Sequence, residues 1–148
     1  MRNIAMRLGL LGVIGVGALV ARPFLSGNVG DLNVGDCFDE PTIGQTVEDV
    51  QHHPCSDAHT GEVVFLHDLP DAKDVVYPSD TEFATRIDAL CVPAFDAYTG
   101  LDFQSDPTWT MGYFTPTSEG WAGGDRGVTC YAARIDSKPT TTSIKAGG

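Results

Sequence analysis

The chain has 148 residues and a formal net charge of −11, and all 20 of its acidic residues lie beyond Arg22, where 6 Lys and Arg oppose them for a balance of −14 with the histidines neutral. That surface repels phosphate backbones and anionic lipid headgroups, so nucleic acid is set aside as a partner. Without its first thirty residues the chain still has ~115, enough for one hydrophobic core and too few for two domains.

Arg2 and Arg7 precede residues 8–21, 14 positions without a charge, and Arg22 follows. This is the pattern of an export signal. Such a run suits a signal-peptide apolar region better than a full span of ~20, although residues 23–25 lengthen it if Arg22 snorkels. No clean small-x-small cleavage site follows and no lipobox-type cysteine is present. Residues 1–30 are therefore expected to be an N-terminal membrane anchor or signal peptide with a short linker. Residues 31–148 then form a domain outside the cytoplasm, at the cell membrane, with secretion as the alternative.

Residues 28–33, rich in Gly and Asn, read as linker. A first strand opens at 34–38, a turn at 41–44 leads to a second strand at 47–53, and E-V-V-F-L-H-D-L at 62–69 is a third, so the three could form a meander. Asp68, Pro70, Asp71 and Asp74 mark a crossing loop. Residues 79–100 carry the strongest signal: Phe83, Ile87, Leu90, Cys91, Ala94 and Tyr98 recur at three- and four-residue spacing, one stripe of a helix. Ser79 can cap its first turn with Glu82 reaching back, and Gly100 supplies the stop. Pro93 predicts a bend near residues 90–92 or a break into two helices. Strands follow at 108–114 and 127–135, with a tight Gly-rich corner at 118–124 between them, and the tail from Lys138 either pairs with an edge or frays. The class is α+β: an antiparallel sheet of about five strands with one long helix packed on one face.

Four cysteines beyond an export signal favour two disulfides over metal ligands or free thiols. Of three possible pairings, Cys37–Cys55 joins two strands that a hairpin would set side by side, which leaves Cys91 on the helix for Cys130 on the last strand. His52, His53, Cys55 and His59 are crowded enough to suggest zinc, but oxidation removes Cys55 and leaves only histidines with a carboxylate such as Asp57. No metal and no cofactor are expected. There is no nucleophile elbow, H-E-x-x-H helix or phosphate loop. His59, Glu62 and Ser56 can be drawn as a catalytic cluster, yet a turn that satisfies its own polar groups explains them better. Asp125 and Arg126 read as a structural ion pair beside a buried Trp121 rather than as a carboxylate-binding site.

V-G-D-C-F at 34–38, C-S-D-A-H-T-G-E-V-V at 55–64, D-L-P-D at 68–71 and Y-P-S-D at 77–80 are followed by C-V-P-A-F-D-A-Y-T-G at 91–100. T-P-T-S-E-G-W-A-G-G-D-R-G-V-T-C at 115–130 and T-S-I-K-A-G at 142–147 complete the series. In this order and spacing the chain resembles the septum-formation-related domain of actinobacterial exported proteins. Ala58 departs from the proline usual before the histidine, and Gly120 from the serine often found before the tryptophan; the cysteines, His59, Glu62, Trp121, Asp125 and Arg126 are retained. The resemblance implies a cell-envelope protein, usually tethered by an N-terminal membrane segment and linked to cell division or envelope assembly, with no established reaction. The expected function is thus a non-enzymatic module that binds an envelope protein, a division protein or a wall component. The alternative is an extracytoplasmic hydrolase or metal-dependent enzyme built on His59 and Glu62.

Overall fold

The structure, a computed structural model, describes residues 27–41, 47 and 49–148. The expected leader therefore lies almost wholly outside the described residues, as does most of the turn at 41–44. No helix among the described residues is long and apolar enough to cross a membrane.

The strands are β1 (Gly27–Asn28), β2 (Cys37–Asp39), β3 (Asp49–His53), β4 (Gly61–Asp68), β5 (Trp109–Phe114) and β6 (Gly127–Arg134). Helix α1 spans Asp80–Thr99 and a short helix α2 spans Ser118–Gly123. All strand pairs are antiparallel, in the order β1-β3-β2-β4-β6-β5. Five strands make the body of the sheet, as expected, and the two-residue β1 adds to one margin. The meander is not formed, because β2 lies between β3 and β4, with Cys37 opposite His53 on one side and Glu62 on the other. Burial accounts for this: Cys37 and Phe38 are almost wholly enclosed, and residues 61–64 are buried at every position, so both segments need paired neighbours on both edges. The first strand starts later than its apolar pattern suggests because Gly35, at φ 95°, turns the chain, and the Asn33 amide donates to Asp36 Oδ2 at 2.8 Å.

Helix α1 has the caps its sequence announces. Ser79 Oγ accepts from the Glu82 amide at 3.3 Å, and Gly100 closes the helix in the left-handed region. Pro93 does not split it; α1 is one element of 20 residues. Pro93 and Ala89, whose carbonyl loses its donor, both lie on the exposed side, where water serves that oxygen. The buried stripe is Phe83, Ile87, Cys91, Phe95 and Thr99, so Phe95 takes the enclosed place expected for Ala94. The Gly-rich corner is helix α2, capped by Thr117 Oγ1 on the Gly120 amide at 3.0 Å and ended by Gly124.

Two apolar clusters lie on opposite faces of the sheet. On the helix side, Phe83, Ile87, Cys91 and Phe95 pack with Val64, Trp121, Cys130 and Ala132. On the other, Phe38, Val63, Tyr131 and Ala133 gather with Val50 and with Leu32 of the N-terminal segment. The register shift between Val63 and Phe65 serves both: Val63 pairs with Tyr131 on the second face, while Val64 and Phe65 join the helix side. Gly112 is obligatory in β5, since a Cβ there would collide with the Tyr131 ring. Both expected disulfides are present, with Cα–Cα distances of 5.3 Å for Cys37–Cys55 and 5.7 Å for Cys91–Cys130. The second ties α1 to β6. The tail pairs instead of fraying: Thr140 bridges His59 through reciprocal backbone bonds of 2.9 Å, and the Ala146 amide donates to the Tyr98 carbonyl.

Candidate functional site

The residues singled out by the sequence fall into two places, and a third feature of the surface lies beside them. The first surrounds Glu62, which β4 places on the helix side beside the Cys37–Cys55 bridge, at 2% exposure. Its Oε1 accepts from Tyr98 of α1 and from Ser143 of the tail, each at 2.7 Å, and its Oε2 accepts from the Ile144 amide at 2.9 Å. The carboxylate thus joins sheet, helix and C-terminal tail. Burial pushes the Tyr98 phenol well above its ordinary range, and the neighbouring Glu62 carboxylate adds to this. Cys37, Cys55 and Glu62 bring ligand-type atoms within 4.8 Å of one another, but the two sulfurs are consumed by the disulfide.

His59 is 1% exposed and does not share these partners. Its Nδ1 lies 2.8 Å from the Asp57 carbonyl, which can only accept, so Nδ1 carries the proton and Nε2 is left as a buried acceptor without a hydrogen-bond partner in the structure. Asp57 in turn donates its amide to the Pro54 carbonyl at 2.8 Å, so the loop folds back on itself, but it does not satisfy all its polar groups: His59 Nε2 is unanswered and Glu62, in β4, is bound from outside the loop. His53 binds Asp39 through Nε2 at 2.8 Å. The histidines therefore have separate partners: His53 a carboxylate, His59 a loop carbonyl.

The second place is built on Trp121 and Arg126. Trp121 is 2% exposed, donates Nε1 to the Val75 carbonyl at 2.7 Å and meets Phe83 and Tyr77 edge-on. The Arg126 guanidinium sits 3.7 Å over its ring and donates to the carbonyls of Trp121, Asp125, Asp71 and Ala72 at 2.7–3.2 Å. The expected Asp125–Arg126 ion pair is replaced by this carbonyl cage, and Asp125 instead accepts from the Gly127 amide at 2.9 Å. The ion pair in the region is Arg86 with Asp71, and the guanidinium of Arg86 holds the Asp71 carboxyl below its usual range.

The third place was not singled out by the sequence. A cleft of about 630 Å³ opens between the end of β5 and the N-terminal segment, lined by Leu66, Phe114 and Val128 and by Asp68, Thr117 and Asp125 among others. Asp125 alone of the sequence candidates reaches it. His59, Glu62, Trp121 and Arg126 are not among its lining residues. The cleft depends on strand order, which places Val29 and Leu32 near β6, and no local pattern announces that. Tyr98, Ser143 and Ile144 were missed as partners of Glu62 for the same reason, although the T-S-I-K-A-G tail was a visible landmark.

The family model described as Septum formation matches residues 34–146. No curated protein and no solved structure matches the chain.

Proposed function

The chain belongs to the septum-formation family, and on that premise we propose that it is a non-enzymatic binding module of the cell envelope that engages another protein or a wall component outside the cytoplasm. The carrying observation is how the chemically capable side chains are used. Glu62 holds the tail, His59 is enclosed in a self-bonded loop, and Arg126 donates to four backbone carbonyls. A hydrolase requires acid, base and substrate space to converge, whereas here the buried His59, Glu62 and Arg126 are outside the lining of the open cleft. Two disulfides support an oxidising compartment, in keeping with the charge pattern of residues 1–30.

Crosslinking from intact cells followed by affinity capture tests partner and compartment together. The reading expects one envelope or wall species recovered at a fixed crosslink position with a membrane-impermeant reagent. Recovery of the domain alone, or a hydrolytic activity of the purified protein that disappears with His59→Ala, would overturn it.

A further inference from the structure

β5 ends the sheet and pairs with β6 along its whole length. The Thr108 carbonyl accepts from the Ile135 amide at 2.9 Å, which makes 108 and 135 a hydrogen-bonded pair. In an antiparallel ladder such pairs alternate. Residues 110, 112 and 114 therefore bond to β6, and the N–H and C=O groups of Trp109, Met111 and Tyr113 point the other way. Among the described residues no strand takes them up.

Soluble proteins usually blunt such an edge with charge, an internal proline or a bulge. This one has none of these within the strand. Residues 107–118, P-T-W-T-M-G-Y-F-T-P-T-S, form the longest uncharged run beyond the leader, and the β5–β6 register is unbroken. The C-terminal end of β5 runs into the cleft, whose titratable lining residues are Asp68, Asp125 and His67, the last with its ring stacked on Phe65, and among the described residues no Lys or Arg lines it. An uncharged backbone edge thus continues into an acidic hollow.

We propose that the β5 edge and this cleft form a docking site for an extended, basic segment of a partner protein, which adds as a strand along Trp109, Met111 and Tyr113 and places a Lys or Arg beside Asp68 and Asp125. The proposal rests on the binding-module reading and names the kind of partner. A second copy of the chain is the poorer occupant, because two surfaces of −14 repel each other while a basic segment is drawn in. The backbone bonds supply affinity and the cleft supplies selectivity.

The probe is a synthetic eight-residue peptide of alternating valine and threonine with lysine at both ends, added to the full-length chain, with amide hydrogen exchange read residue by residue. Saturating peptide should slow exchange at Trp109, Met111 and Tyr113 at least tenfold and change Thr110 and Gly112 less than twofold. Asp68→Asn with Asp125→Asn should weaken binding at least fivefold, and Met111→Pro, which removes an outward donor without touching a β6 bond, should abolish it. Should Met111→Pro fail to fold, the Asn pair and the exchange pattern decide. Unchanged exchange at saturation overturns the proposal, as does protection of the same amides that rises with protein concentration alone, the signature of a second copy. A captured partner crosslinked far from residues 109–117 sinks this site but leaves the binding-module reading intact. Peptide docking at β5 with no partner captured from cells supports the site and sinks that reading.

Discussion

Replacing Cys91 and Cys130 by alanine should destabilise the fold more than the same change at Cys37 and Cys55. The bridges close segments of 39 and 18 residues, which by loop-closure entropy correspond to about 4 and about 3 kcal/mol. Burial widens the gap. Cys91 and Cys130 are both enclosed, at 1% and 0% exposure, whereas Cys37 is enclosed and Cys55 is only half-buried. The additional enclosed sulfur contributes about 1 kcal/mol by area, so the two double variants should differ by about 2 kcal/mol. The position of the bridge explains why: Cys91–Cys130 pins α1 to β6, while Cys37–Cys55 ties neighbouring parts of one sheet. Urea unfolding followed by far-UV circular dichroism, extrapolated to water, measures both, with peptide mapping of the unreduced parent first confirming the pairing. An equal or larger loss in the Cys37/Cys55 variant would show that the layers are held by packing alone and refute the argument.

Deleting residues 141–148 removes Ser143 and Ile144 from Glu62, two hydrogen bonds to a buried carboxylate at about 1.5–3 kcal/mol each; a urea-derived loss of about 3–5 kcal/mol is expected, and a loss below about 0.5 would contradict the tail's role. Arg126→Lys cannot reach four carbonyls from one ammonium and should lower stability by about 2–3 kcal/mol with quenching or a shift of the Trp121 fluorescence, and an unshifted spectrum would count against the cage. Burial, with the nearby Glu40 carboxylate, pushes the Tyr131 phenol well above its ordinary range, as burial does for Tyr98. Because these folded-state values are raised, their stabilisation is whole below about pH 10 and is lost as pH climbs further, at up to about 1.4 kcal/mol per pH unit for the deeper Tyr131 and less for the more solvated Tyr98. Chemical denaturation at a series of alkaline pH values should show that fall flattened by Tyr131→Phe, and an identical slope would disprove it.

What could be read from sequence was whatever depends on neighbours along the chain. The caps at Ser79 and Gly100 and the strand at 61–68 follow from local chemistry. The errors lie where distant segments decide. Phe95 displaced Ala94 because the buried positions advance by four residues each time, and the Phe103 ring, 5.2 Å away and edge-on, waits on that side. β2 looked like the start of a meander because hairpins are local, whereas its interior place is set by the burial of β4 on both faces. Residues 118–124 looked like a turn because of their glycines, but Thr117, three positions before Gly120, was the capping signal for a helix. At the site, spacing suggests a self-contained turn for His59 and Glu62, whereas the partners of Glu62 sit 36 and more positions away, beyond the reach of any local pattern.

The order of the strands also decides how the domain would carry a pull. β1 and β5 lie at opposite margins, five strand spacings or about 24 Å apart. Tension entering at Gly27 and leaving through a strand docked on β5 runs across the ladders, opening them one bond pair after another in the manner of a zipper. Two rivets interrupt that path: Cys37–Cys55 spans the β2–β3 seam, and Cys91–Cys130 shunts load from β6 into α1. Of the seams left unriveted at the margins, β1–β3 has two residue pairs and β5–β6 has six. The β1 margin therefore peels first, releasing a few residues of slack while the body of the sheet and the β5 edge stay closed.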